Sequence, residues 1–212
     1  MSIKNIQQNT YLNINQLILL IEEPYRTKFI KLLADNKIKF SKSRGSTNNH
    51  QAWQGGYLDH IQEAMNISIK LYDSLNILRA LPFSKSDALI AIFCHDLEKP
   101  WKYEKKQGGY EHRNSFSTKE SHQNFRINKL KEYGIELTSE QEAAIRYAEG
   151  ELADYTNKKR MMGPLGAFCH MCDIASARLW FDYPLKENDP WNGATRNSLI
   201  YQILYYNNIL PF

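Results

Sequence analysis

Apolar positions recur at helical spacing along nearly the whole chain, and strand-like alternation is weak throughout. Over 14–34, Leu17, Ile18 and Ile21, then Phe29, Ile30 and Leu33, form an amphipathic stretch that Pro24 divides into two helices. Residues 41–56, rich in Ser, Asn and Gly, predict a loop. A helix follows from about Tyr57 to Leu75. Its core stripe is Leu58, Ile61, Met65, Ile69 and Tyr72, with Ala64, Ile67 and Leu71 beside it and His60 at its head. Ser84 or Ser86 can cap the next helix, whose run from Ala88 to Cys94 is unbroken apolar sequence and so predicts burial on nearly all sides. That helix is expected to run on through His95-Asp96-Leu97-Glu98-Lys99 and to stop at Pro100. After a loop with Gly108-Gly109, a helix over 118–133 carries His122, and the capping-box spacing of Ser139 and Glu142 starts another that reaches about Tyr155. A mostly apolar helix from Pro164 to Phe181 holds Asp173 in its middle. The pattern is all-α. A central domain spans 41–185, a helical extension 1–40 packs on it, and the aromatic, apolar tail within 186–212 is expected to pack back onto the bundle.

With 42% hydrophobic residues over 212 positions, the chain can build a real core. No apolar run is long enough to cross a bilayer, and the polar start has no signal-peptide core, so a cytoplasmic protein with no membrane partner is expected. Three cysteines, an odd number, argue against a disulfide framework and fit a reducing compartment. Cys169 and Cys172 form a C-x-x-C without a second Cys/His pair, so they read as small buried residues on a helix. A net charge of +4 suits an anionic substrate but does not by itself make a nucleic-acid binder.

The informative residues are polar groups on apolar faces. Asp96 closes a helix whose preceding stretch is apolar, and Asp173 lies between Phe168 and Trp180 on a largely buried segment. A buried carboxylate is costly unless it is paired or bound to a cation. A single such residue is commonly a hydrogen-bonded core group. Two aspartates, with His60 and His95 on other apolar faces, point to a shared positive centre. That ligand set suits a divalent metal such as Mn, Fe, Zn, Co or Mg.

The run Asn49-His50-Gln51-Ala52-Trp53-Gln54-Gly55-Gly56-Tyr57-Leu58-Asp59-His60 resembles the first metal-ligand motif of the HD-domain phosphohydrolases. Residues 88–100 (ALIAIFCHDLEKP) resemble their defining His-Asp motif, and 165–178 (LGAFCHMCDIASAR) the later helix that supplies the last Asp. The resemblance covers about 45–182. It implies an HD-domain helical bundle with a central metal site, held by His60, His95, Asp96 and Asp173, and hydrolysis of phosphate esters. Lys99 matches the family's basic residue near substrate phosphate. Glu98 stands where the family usually has Gly, a change expected to matter little on a helix. Two-metal members add histidines. His122 falls where one such ligand of a second site is expected, while Tyr147-Ala148-Glu149-Gly150 stands in place of the others. The resemblance therefore implies one tightly bound ion, with a weaker second one optional.

In that chemistry Asp96 or Glu149 orients or deprotonates a water. Glu149 shares a helical stripe with Ile145, Ala148 and Leu152, which would turn it inward as ligand or base; the alternative is a solvated side chain. Substrate contacts are expected from Lys99, Trp101, Lys102 and Arg113, since basic and aromatic residues together suit a nucleotide; the alternative is an ordinary solvated loop, its charge diluted by Glu104 and Glu111. His112 reads as a phosphate contact or general acid, or else as a surface residue. His50 and His170 are expected beside the ligands, and His170, one turn before Asp173, could itself ligate. The leading expectation is a nucleotidase-type phosphomonoesterase with a small-molecule substrate. Its alternatives are a cyclic-nucleotide or oligonucleotide phosphodiesterase, and a metal-stapled binding module of reduced activity. The aromatic tail would suit a homodimer contact.

Overall fold

The computed structural model describes residues 10–106, 109–185 and 189–196, and the side chains in those ranges apart from 104–106, 109–112 and 114. The helices are α1 (Ile14–Ile18), α2 (Tyr25–Lys42), α3 (Gly56–Leu78), α4 (Lys85–Cys94), α5 (Lys99–Lys102), α6 (Lys119–Lys131), α7 (Ser139–Tyr147) and α8 (Pro164–Ile174). A π-helical turn, Ala175–Leu179, continues α8. The segment read as loop after the His-Asp pair contains a small antiparallel hairpin, β1 (Tyr103–Lys106) with β2 (Gly109–His112). No helix among the described residues is long and apolar enough to cross a membrane.

The centre is α4, packed against α3, α7 and α8. Ser84 caps it in a reciprocal box with Asp87, and each residue from Ala88 to Cys94 is buried, as its unbroken apolar run requires. α1 and α2 add Leu17, Ile18, Ile21, Phe29 and Phe40 to the same core. Cys169 and Cys172 are free thiols buried in it.

Three boundaries depart from the sequence reading. α4 ends at Cys94, so His95, Asp96, Leu97 and Glu98 form a turn, and Pro100 opens α5 instead of stopping α4. Proline is tolerated there because a first-turn N–H has no partner within the helix. α7 is capped by Thr138 with Gln141, not by Ser139, and ends at Tyr147. Three residues on, Gly150 takes φ +103°, which breaks the predicted continuation to Tyr155.

α3 is buried far more evenly than its stripes suggest. Its polar residues Asp59, Gln62, Glu63, Asn66 and Ser68 are all inside. The chain before α1 and the segment near Thr195 lie across them. Asn66 donates to the Leu12 carbonyl and accepts from its N–H, each at 2.8 Å, and Gln62 accepts from Ile14 N–H at 2.8 Å. Gln62 Nε2 lies 3.3 Å from the Thr195 carbonyl. The expected packing of the tail beyond Arg196 falls outside the described residues.

Candidate metal centre

Three elements place the centre. α3 brings His60, the turn after α4 brings His95 and Asp96, and α8 brings Asp173 near its C-terminal end. Gly56 permits the first approach, because a Cβ there would fall 1.8 Å from the Gln51 carbonyl oxygen. His60 Nε2 and His95 Nε2 lie 3.3 Å apart. Asp173 Oδ1 is 3.1 Å from the former and 3.5 Å from the latter. Asp96 Oδ2 is 3.5 and 3.3 Å from the same two nitrogens. Metal–ligand bonds of about 2.0–2.2 Å set neighbouring donors roughly 3.0–3.5 Å apart, so the spacing fits. His60, His95 and Asp173 form a group that can hold a metal ion. Asp96 faces both imidazoles but is shared with Lys99, whose Nζ lies 2.5 Å from Oδ2.

The donor chemistry fits as well. Asp96 is buried, yet neither of its oxygens receives a well-directed hydrogen bond. His95 Nδ1 donates to the Ile92 carbonyl at 2.6 Å, which turns Nε2 toward the carboxylates. Burial alone would lower His95, but Asp96 and Asp173 outweigh it and hold the imidazole up at about 10. Burial would raise both aspartates. Lys99 and His95 hold Asp96 well below the carboxylate range, and His60 and His95 do the same for Asp173. His60 is pushed down by burial, against the pull of Asp173. Two acids thus draw positive charge to one buried point, which Lys99 and the His95 proton supply and which a divalent ion could supply in place of that proton.

The other expected site residues divide. His50 belongs here, its ring centroid 4.7 Å from that of His60 and its Nδ1 2.8 Å from Gln51 Oε1. Lys99 is buried against Asp96 and not open to solvent. Lys102 is nearly buried, and burial lowers it despite Glu98, Asp96 and Glu149. Glu149 is exposed in the turn after α7, because the helix that would have turned it inward ends first. Trp101 is taken up by packing. Its ring meets Phe40 at 5.9 Å and Phe125 at 5.2 Å, and the ammoniums of Lys39 and Lys129 lie over it at 5.3 and 5.0 Å. It therefore pins α5 to α2 and α6 and does not present a face for a base. Arg113 is exposed after the hairpin, with its N–H donating to the Lys102 carbonyl at 2.9 Å. The side chain of His112 lies outside the described residues.

His122 is not part of the donor group. Its Nε2 faces the Phe116 carbonyl at 3.1 Å and its Nδ1 is 3.9 Å from Glu98 Oε1. His170 donates from Nδ1 to the Ala148 carbonyl at 2.6 Å, tying α8 to the end of α7. Glu98, expected to be of little consequence, is buried and paired with Arg126 at 2.6 Å.

Sequence reasoning missed Gln51, Glu63 and Ser176, which lie behind His60. His60 Nδ1 is 3.0 Å from Ser176 Oγ, which donates to Glu63 Oε2 at 2.8 Å, and Gln51 Nε2 is 3.1 Å from the same oxygen. The available signal was spacing: Glu63 and Ser176 each follow a proposed ligand by three residues on a helical segment. Burial pushes Glu63 up to about 9; the Ser176 hydrogen bond opposes this, and Asp189, Asp59 and Asp182 add to it. The folded chain then keeps a proton that the unfolded chain releases near 4.5, so this contribution to stability is complete below about pH 4.5 and is lost as pH rises through about 9. Denaturant unfolding at about pH 6 and about pH 9 should show this loss, at no more than about 1.4 kcal/mol per pH unit, and Glu63→Gln should flatten it.

No protein-family model, curated protein or solved structure matches this chain.

Proposed function

We propose that this protein is a metal-dependent phosphohydrolase of the HD-domain type, acting on a nucleotide or related small phosphate ester. The observation that carries the reading is the convergence of His60, His95 and Asp173, with Asp96 and Lys99 against them, at one buried point. A divalent ion held there supplies Lewis acidity toward a phosphoryl oxygen and lowers the pKa of a water. His60, His95 and Asp173 hold it, and Asp96, shared with Lys99, completes the donor set. Lys99 keeps a positive charge next to the centre, where charge on a transferring phosphoryl group needs compensation. Lys102 adds a second cation within electrostatic reach of Asp96.

One tight ion is favoured over two, because Arg126 already neutralises Glu98, the carboxylate nearest His122. With Trp101 packed away, recognition rests on the phosphate more than on stacking with a base.

The test is chromatographic turnover of mono-, tri- and cyclic nucleotides with Mn²⁺, Co²⁺ or Mg²⁺, and with EDTA. Metal-dependent release of phosphate or opening of a cyclic ester is expected. Purified protein that carries a tightly bound ion yet turns over none of them would favour a metal-stapled binding module instead.

A further inference from the structure

His60 can point a lone pair at the centre only if its proton sits on Nδ1, and Asp173 Oδ1, 3.1 Å from Nε2, pulls that proton the other way. Something must hold the tautomer. We infer that Gln51, through Glu63 and Ser176, fixes His60 with its proton on Nδ1 and so acts as the positioning residue of the centre.

The directions of the hydrogen bonds follow one from another. Gln51 Nε2 lies 3.4, 3.2 and 3.3 Å from the backbone carbonyl oxygens of Ser176, Trp180 and Tyr183. Carbonyls only accept, so the amide must turn its NH₂ toward them, and its orientation is decided by backbone that cannot change role. That NH₂ also donates to Glu63 Oε2, so with two donors facing it Oε2 is the accepting oxygen of the carboxyl, and the proton that Glu63 retains belongs on Oε1. The Ser176 hydroxyl has one proton, and it goes to the same Oε2 at 2.8 Å. Ser176 Oγ can then only accept from His60, which places the imidazole proton on Nδ1 and leaves Nε2 bare. The other end of the amide does the same for His50, whose Nδ1 donates to Gln51 Oε1 at 2.8 Å. Gln51 is itself locked in place, buried, with its N–H donating to the Phe181 carbonyl at 2.7 Å. All members of the chain from Gln51 to His60 are buried, so water does not compete for these bonds. Outer hydrogen bonds of this kind commonly set ligand tautomer and are worth 10–100-fold in metal affinity.

The inference bears on the metal reading above but is tested apart from it. Long-range ¹H–¹⁵N NMR of the full chain distinguishes protonated from bare imidazole nitrogens, without and with Zn²⁺. Without Zn²⁺, His60 is expected with Nδ1 protonated in the wild type and in Glu63→Gln, whose amide oxygen can keep the acceptor at Oε2. Ser176→Ala should give a tautomer mixture and bind Co²⁺ about 10–100-fold more weakly in equilibrium dialysis, while Glu63→Gln stays close to wild type. His60 protonated on Nε2 in the metal-free wild type, or a Ser176→Ala protein that loses thermal stability but keeps the tautomer, would overturn the inference. The expected tautomer in a protein that binds neither Zn²⁺ nor Co²⁺ would uphold the relay and remove the metal reading.

Discussion

Arg126→Met is expected to cost about 3–5 kcal/mol of stability, the largest effect of any single change away from the centre. Glu98 and Arg126 are both buried and meet at 2.6 Å, and Arg126 Nη1 also donates to the Ile145 carbonyl at 3.3 Å. The guanidinium therefore joins α6, α7 and the turn that carries His95 and Asp96. Burial works against its charge, but Glu98 outweighs burial and holds it above its ordinary range. Removing the arginine leaves a buried carboxylate uncompensated, which costs more than the pair contributes when intact. Glu98→Met combined with Arg126→Met should therefore recover much of the loss, because two apolar side chains of similar volume avoid the unpaired charge. Denaturant unfolding of both single variants and the double gives the coupling energy directly. A double variant as unstable as the sum of the singles would show that packing, and not the unpaired charge, sets the cost.

Under the proposed function, Asp173→Asn is expected to abolish tight metal binding and to lower metal-dependent turnover by at least about 100-fold while the protein stays folded. Loss of a ligand should exceed the 10–100-fold typical for residues that only support one. Asp173 is the most suitable of the four proposed ligands to test because it is the least enclosed, with 15% of its side chain exposed. Asp96→Ala would remove a proposed donor too, but it strands the Lys99 ammonium, buried beside the lost carboxylate. That variant should lose several kcal/mol of stability as well, and its inactivity would be ambiguous. Measuring bound metal per chain and thermal unfolding on the same samples separates the two causes. A folded Asp173→Asn protein that retains its ion and its turnover would remove Asp173 from the centre.

Much of the helical framework was legible because it depends on local chemistry. The burial of Ala88 to Cys94 follows from an apolar run with no polar face, and the breaks at Pro24 and near Pro164 follow from proline's fixed φ and missing N–H. His60, His95 and Asp173 could be singled out because each is a polar group where its neighbours demand burial. What failed were readings that needed a partner far along the chain. Glu98 looked dispensable until Arg126, 28 positions away, was beside it. Glu149, inward or solvated by its sequence, was left exposed because its helix ends at Tyr147. Trp101 looked like a ligand-stacking ring until Phe40 and Phe125 closed on it.

By itself, then, the sequence determined which segments are helical, that α4 lies at the centre, and which few polar residues need a common positive charge, since periodicity, capping and the cost of burying charge all act within a few turns. Only the tertiary structure decided that His60, His95 and Asp173 meet within a few ångströms, that the polar side of α3 is covered by distant chain, and that Gln51 reaches carbonyls 125 to 132 positions away. Tautomer, pairing and access are properties of neighbours in space, and a helix presents the same residues to whatever the fold packs against it.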